Sequence, residues 1–344
     1  MADSQVLALR ADATPDIGTG HIMRCIALAQ EAAARGMRPV LLGTCEVPWL
    51  TEVLAATPVT VMDAPDTAEG LRMCLRTLAP AAVVVDAYHI PTAHYRAAAT
   101  AAPVIAAYDG EIRHACADVL YDQNIGADRS NPPPTNGGLL LRGPAFAVIR
   151  DNIRALRPAD PVQQVLSRAA TPTPRVLLVL GGTDVRRAAR KLTKALLQIP
   201  ALHLTVVTED SAGVRALPVA PGQQLDVIAP TPVLPQTMAG MDLVISAAGT
   251  TTIELCCLGV PAALIQVVDN QKPVYEGAVS HRCAEGLGSI SEVLAHPATM
   301  AQHVRDLLAQ PARRAELAQR AWQMVDGLGR QRILETVTGA AAAR

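Results

Sequence analysis

Short apolar runs recur along the chain, each followed by a turn-forming segment and then by apolar positions at helical spacing. QVLALR at 5–10 leads through turn residues from Asp12 to Gly20 into an amphipathic stretch from His21 to Arg35. PVLLG at 39–43 precedes a helix over 48–57, PVTVM at 58–62 one over 66–78, and AAVVVDAY at 81–88 one over 91–101, before PVIAAYD at 103–109. Strands rich in β-branched residues that alternate with helices predict a parallel sheet covered by helices on both faces. A Pro-rich stretch at 155–174 reads as a linker, and the alternation then restarts with RVLLVLGG at 175–182 and a helix over 185–198. LHLTVVTE at 202–209, QLDVIAP at 224–230, MDLVISAAG at 241–249 and PAALIQV at 261–267 continue it, and 298–338 is helical and amphipathic. The expected architecture is α/β, with two Rossmann-like domains at 1–155 and 175–297. Helices in 298–344 would brace the first domain.

Composition narrows what this scaffold can do. Thirty Lys and Arg against 31 Asp and Glu leave a net charge of −1, so no global attraction draws the chain to nucleic acid or an acidic membrane. With 2% aromatic residues there is little for base-stacking platforms, and a sugar would be met by polar side chains and backbone. The 7 cysteines are scattered without CxxC spacing and read as small hydrophobes in a reducing compartment. No apolar run approaches the ~18 residues that span a bilayer, and no signal-peptide pattern opens the chain. A cytoplasmic protein without membrane insertion is expected, and the sequence shows no Asp-x-Asp or clustered His ligands.

Five segments could carry chemistry. At the end of the first strand, Gly18 and Gly20 allow close backbone approach to a ligand, and His21 at a helix start is suited to act as a neutral base; the alternative is a tight turn that His21 caps. After the fourth strand comes Val85-Asp86-Ala87-Tyr88-His89, where Tyr88 could share a crevice with His21 or be structural. Gly181, Gly182 and Thr183 form a strand-to-helix turn able to bind phosphate oxygens. Ser246, Ala248, Gly249 and Thr250 form a second such turn, with Glu254 placed to meet ribose hydroxyls or to be a surface acid. Should the strands at 175–180 and 241–246 be close, both turns would meet one diphosphate. Asn270 and Gln271 could orient sugar hydroxyls or cap a helix.

Taken together, R-x-D-x4-I-G-x-G-H-x2-R-C, V-D-A-Y, D-Q-N, R-G-P-A-F-A-V-I-R, G-G-T-D, A-A-G-T-T-T-x-E-x-C-C-L-G-V-P and D-N-Q resemble the UDP-sugar hydrolases of pseudaminic acid biosynthesis and their spore-coat-polysaccharide relatives. The second half is also similar to the peptidoglycan N-acetylglucosaminyltransferase of GT-B fold. The resemblance implies two Rossmann-like domains facing across a cleft, a UDP-sugar on the C-terminal one, catalytic groups on the N-terminal one, and neither cofactor nor metal. His21 would activate a water that attacks the anomeric carbon with inversion, Tyr88 would position it, Asn270 would orient the sugar, and Asp12 completes the expected catalytic set. One departure stands out: the family's Asp-His-Tyr reads Asp86-Ala87-Tyr88 here, with His89 after the tyrosine. The cytosylglucuronate synthases look like the same scaffold used for transfer, so hydrolysis is the first expectation and glycosyl transfer to a small acceptor such as a nucleobase the alternative.

Overall fold

The computed structural model describes residues 4–87, 89–108, 116–129, 137–181 and 188–342, the side chains of 337–342 excepted. The chain forms two compact units, one of 1–123, 127–151 and 327–344, the other of 124–126 and 152–326.

The first unit begins β1 (Val6–Arg10), α1 (Gly20–Ala34), β2 (Arg38–Leu42), α2 (Pro48–Ala55), β3 (Thr60–Met62), α3 (Ala68–Leu78), β4 (Ala82–Val85) and α4 (Thr92–Ala99). It continues with β5 (Val104–Ala107), β6 (Val119–Asp122) and β7 (Leu139–Arg142). All strand pairs are parallel, in the order β3-β2-β1-β4-β5-β6-β7. The apolar runs are continuous because both faces are covered: Leu7 and Leu9 of β1 enter one core, Val6 and Ala8 the other.

A short helix, α5 (Asp151–Arg154), leads to α6 (Pro161–Arg168), β8 (Arg175–Val179), α7 (Ala189–Leu196), β9 (His203–Val207), α8 (Ser211–Arg215), β10 (Gln224–Ile228) and α9 (Leu234–Ala239). Then come β11 (Leu243–Ala247), α10 (Thr250–Leu258), β12 (Ala262–Gln266), α11 (Lys272–Ser280), β13 (Glu285–Ser289), α12 (Ile290–Ala295), α13 (Pro297–Leu308), α14 (Pro311–Met324) and α15 (Gly329–Ala342). The second sheet, parallel throughout, is ordered β10-β9-β8-β11-β12-β13.

Two stretches differ from the sequence reading. The segment read as a linker holds α6, which starts at Asp160, whose carboxylate accepts the N–H of Gln163, and packs on α14. The final helices divide: α13 and α14 belong to the second unit and α15 to the first. There Ile333 and Leu334 are core residues, and buried Arg330 pairs with Glu31 and Asp151.

Candidate functional site

Each sheet reverses its strand order once, between β1 and β4 in the first unit and between β8 and β11 in the second. Open α/β sheets place ligands outside the carboxyl ends of the strands at such reversals. Part of the expected set lies at these two places: His21 and Asp12 in the first unit, Gly181, Gly249, Thr250 and Gln271 in the second.

In the first unit, Asp86 directly follows β4, and its N–H continues the ladder to the Arg10 carbonyl at 3.0 Å. Its fully buried carboxylate meets the first turn of α1, where His21 and Arg24, three residues apart, share one face. His21 Nδ1 lies 2.7 Å from Oδ1. Arg24 donates Nε to Oδ2 and Nη2 to Oδ1, each at 2.6 Å, and the Tyr121 hydroxyl of β6 donates to Oδ2 at 3.1 Å. Burial alone would push the Asp86 carboxyl up, but the Arg24 guanidinium and then His21 outweigh it and hold the group well below the usual carboxylate range. An ionised carboxylate only accepts, so Nδ1 of His21, which Arg24 Nη2 also approaches at 2.9 Å, carries a hydrogen, and in the neutral ring the lone pair falls on Nε2. Expected to face a crevice, His21 is instead 3% exposed.

Asp12 forms a separate group. Oδ1 accepts the N–H of Thr44 at 2.8 Å, while Oδ2 accepts Arg10 Nη1 at 2.6 Å and meets His89 Nε2 at 2.8 Å. Gly43 makes this approach possible, because a Cβ there would lie 1.7 Å from the Ala11 carbonyl oxygen and 3.2 Å from Asp12 Oδ1. Gly18 has a left-handed φ of 80° and ends the turn before Gly20 opens α1. Tyr88 lies outside the described residues.

In the second unit β8 and β11 are neighbours, with Ser246 opposite Val179. The turns after Val179 and Ala247 therefore emerge side by side. Gly181 has φ 109° and open space where a Cβ would stand; Gly182 and Thr183 lie outside the described residues. Gly249 is the N-cap of α10, with no side-chain cap and no acidic residue in the first turn. A helix start left without a side-chain cap can receive an anion on its leading N–H groups. A Cβ on Gly249 would stand 3.7 Å from Gln271 Nε2, and Gln271 Oε1 accepts the N–H of Val267 at 2.9 Å, which turns its amide nitrogen toward the glycine. Thr250 opens the helix, Glu254 is half-buried one turn on, and Asn270 is exposed in the turn before α11. Ser246 and Ala248 are not brought to this surface: both are buried, with the Ser246 hydroxyl on the Ala247 carbonyl.

No family model matches the chain. A curated relative from Chromobacterium violaceum, named as UDP-N-acetylglucosamine N-acetylmuramyl-(pentapeptide) pyrophosphoryl-undecaprenol N-acetylglucosamine transferase, is 31% identical over 132 residues. The match spans 33% of this chain and 37% of the relative's length. The crystal structure of MurG from Acinetobacter baumannii is similar with a TM-score of 0.71 at 16% identity, covering 98% of this chain and 99% of that one. This chain has the GT-B fold. Two other solved structures sharing it are the UDP-GlcNAc 2-epimerase of Neisseria meningitidis bound to UDP-GlcNAc (TM-score 0.61, 13% identity, 97% and 100% covered) and the calicheamicin glycosyltransferase CalG4 (0.62, 14%, 98% and 99%).

Within this GT-B chain, Asp86, Arg24, Tyr121 and His89 join the clusters of the first unit without having been assigned a role from the sequence. Asp86 and Arg24 stood inside the quoted motifs, and an acid just past a buried strand was the available signal. Nothing local marked Tyr121, which enters from two strands away. Among the described residues no group of His, Cys, Asp and Glu could hold a metal ion, and no helix is long and apolar enough to cross a membrane.

Proposed function

We propose that this protein is an inverting, metal-independent glycosyltransferase that moves the sugar of a UDP-activated donor to a small acceptor and releases UDP. The observation that carries this reading is the His21–Asp86 pair at the first strand reversal, an imidazole whose Nδ1 is held at 2.7 Å by a buried carboxylate. In the proposed reaction Nε2 takes the acceptor's proton as the acceptor attacks the anomeric carbon from the face opposite UDP. The C1–O bond breaks, its electron pair leaves on the diphosphate, and the first-turn N–H groups of α10 receive that charge. Asp86 steadies the imidazolium, the role a carboxylate plays behind any His base. Glu254 holds the ribose, and Gln271 and Asn270 orient the sugar. Transfer is favoured over the hydrolysis first expected because the similar proteins include several named as glycosyl transferases.

The deciding experiment incubates the protein with a panel of UDP-sugars, UDP-glucuronate among them, with and without nucleobases such as cytosine. UDP and sugar products are read by mass. UDP release that depends on an acceptor, with a glycosylated product, is the expected result. UDP and free sugar in equal amounts whatever is added would return the reading to hydrolysis, and a C2-epimerised UDP-sugar would replace it with epimerisation.

A further inference from the structure

The first unit carries a second carboxylate–imidazole pair, built from the same two strand ends in the opposite sense. His21 comes from the β1 side and its carboxylate from β4, whereas Asp12 comes from the β1 side and its imidazole, His89, from beyond β4. Asp12 sits on fixed backbone, because Ala13 and Cys45 bridge in parallel and the Ala13 N–H reaches the Thr44 carbonyl at 2.9 Å. With Thr44 N–H and Arg10 already donating to it, Asp12 acts as an acceptor, so His89 Nε2 is the donor, and in the neutral ring Nδ1 carries the lone pair.

The two rings differ in access: the His21 side chain is 4% exposed and that of His89 43%. A hydrogen bond to a half-exposed imidazole adds little to stability, since water competes for the ring and an ordered side chain loses rotamer freedom. Fold stability therefore gives a weak reason for holding His89 so firmly. An enclosed His21 can receive a proton, but selection among acceptors requires a polar group that the incoming molecule meets outside that enclosure.

We propose that His89, oriented by Asp12, recognises the acceptor, its Nδ1 taking a hydrogen bond from an N–H or O–H of a small polar molecule. The assignment rests on the transferase reading. The acceptor then presents a second donor besides its attacking atom: the attacking atom gives its proton to His21, and the second donor stays protonated on His89. A site built to accept such a bond discriminates strongly against analogues that lack the donor.

The test uses a UDP-sugar that the wild-type protein consumes and measures the acceptor KM and the ratio of transferred to hydrolysed sugar. Wild type, His89→Ala and His89→Gln are compared, with melting temperatures. His89→Ala should raise the acceptor KM about tenfold and lower the ratio in step, the effect of losing one hydrogen bond. His89→Gln can still donate to Asp12 and offer a carbonyl oxygen, so it should recover part of the loss, and it carries the comparison if the alanine variant fails to fold. An acceptor KM within twofold of wild type in the variants that fold overturns the assignment and leaves the transferase reading standing. A wild-type protein that transfers sugar to no acceptor overturns both.

Discussion

Where the first sheet reverses its strand order, four ionisable side chains, His21, Arg24, Asp86 and Tyr121, are hydrogen-bonded together largely out of water. Where the second reverses, the run from Ala247 to Thr252 has no ionisable side chain, only small residues and the open start of α10. The contrast follows from what each end is proposed to do. Moving a proton needs a group with a fixed tautomer, and fixing it takes a buried counter-charge that must itself be compensated. Receiving a diphosphate needs close approach by several N–H groups, and side chains would stand in the way.

The largest effect expected from breaking this contrast is on turnover. His21→Asn should lower kcat by roughly 10²–10⁴, the range for a general base, while UDP affinity stays within about twofold because the nucleotide is assigned to the other unit. Calorimetry showing that UDP binding falls with kcat would undo the division of labour. Because the ring is buried and bonded, a loss of about 1–3 kcal/mol of stability should accompany the kinetic effect.

Stability takes the next largest effect. Asp86→Ala leaves Arg24 without its buried counter-charge and should cost about 3–5 kcal/mol in chemical denaturation. The same carboxylate sets an acid dependence. Its folded pKa is depressed, so its contribution is complete above the unfolded value near ~4 and is lost as pH falls below it. Asp86→Asn should flatten that acid limb of the stability curve, and an unaltered limb would show that Asp86 is not its source.

The second unit should respond in binding and hardly in stability. Gly249→Val puts a side chain over the α10 N–H groups at a backbone (φ −116°, ψ −152°) that any residue adopts. UDP affinity should fall about 10–100-fold with little change in melting temperature. Glu254→Ala should weaken UDP by ~1–3 kcal/mol, as loss of a charged hydrogen-bond partner does. Undiminished affinity in both variants would move the nucleotide elsewhere. The smallest expected effect is none: EDTA should leave turnover unchanged, because the diphosphate charge is assigned to N–H groups. Loss of activity restored by magnesium or manganese would show that the second end needs a charge after all.

Much of the fold is legible in the sequence because the β-α alternation is written in local period, residue by residue. The strands missed are those whose burial comes from neighbours: β6 and β7 are four residues each, and β13, Glu-Gly-Leu-Gly-Ser, is half-exposed at a sheet edge. The glycine turns were readable for the same local reason, and so was His21 at a helix start. What those residues do was not. Ser246 and Ala248 belong to the same motif as Gly249, yet the strand turns them into the core.

The sequence by itself determined two parallel α/β halves, their turns and the residue types at the strand ends, since each depends on neighbours a few positions apart. Only the tertiary structure decided which of those residues meet. Strand order set β1 beside β4, so that Asp86 closes on His21 from 65 positions away while Asp12 closes on His89. A hydrogen bond needs its atoms within about 3 Å, and across that much chain nothing but the packing of the sheet sets such a distance.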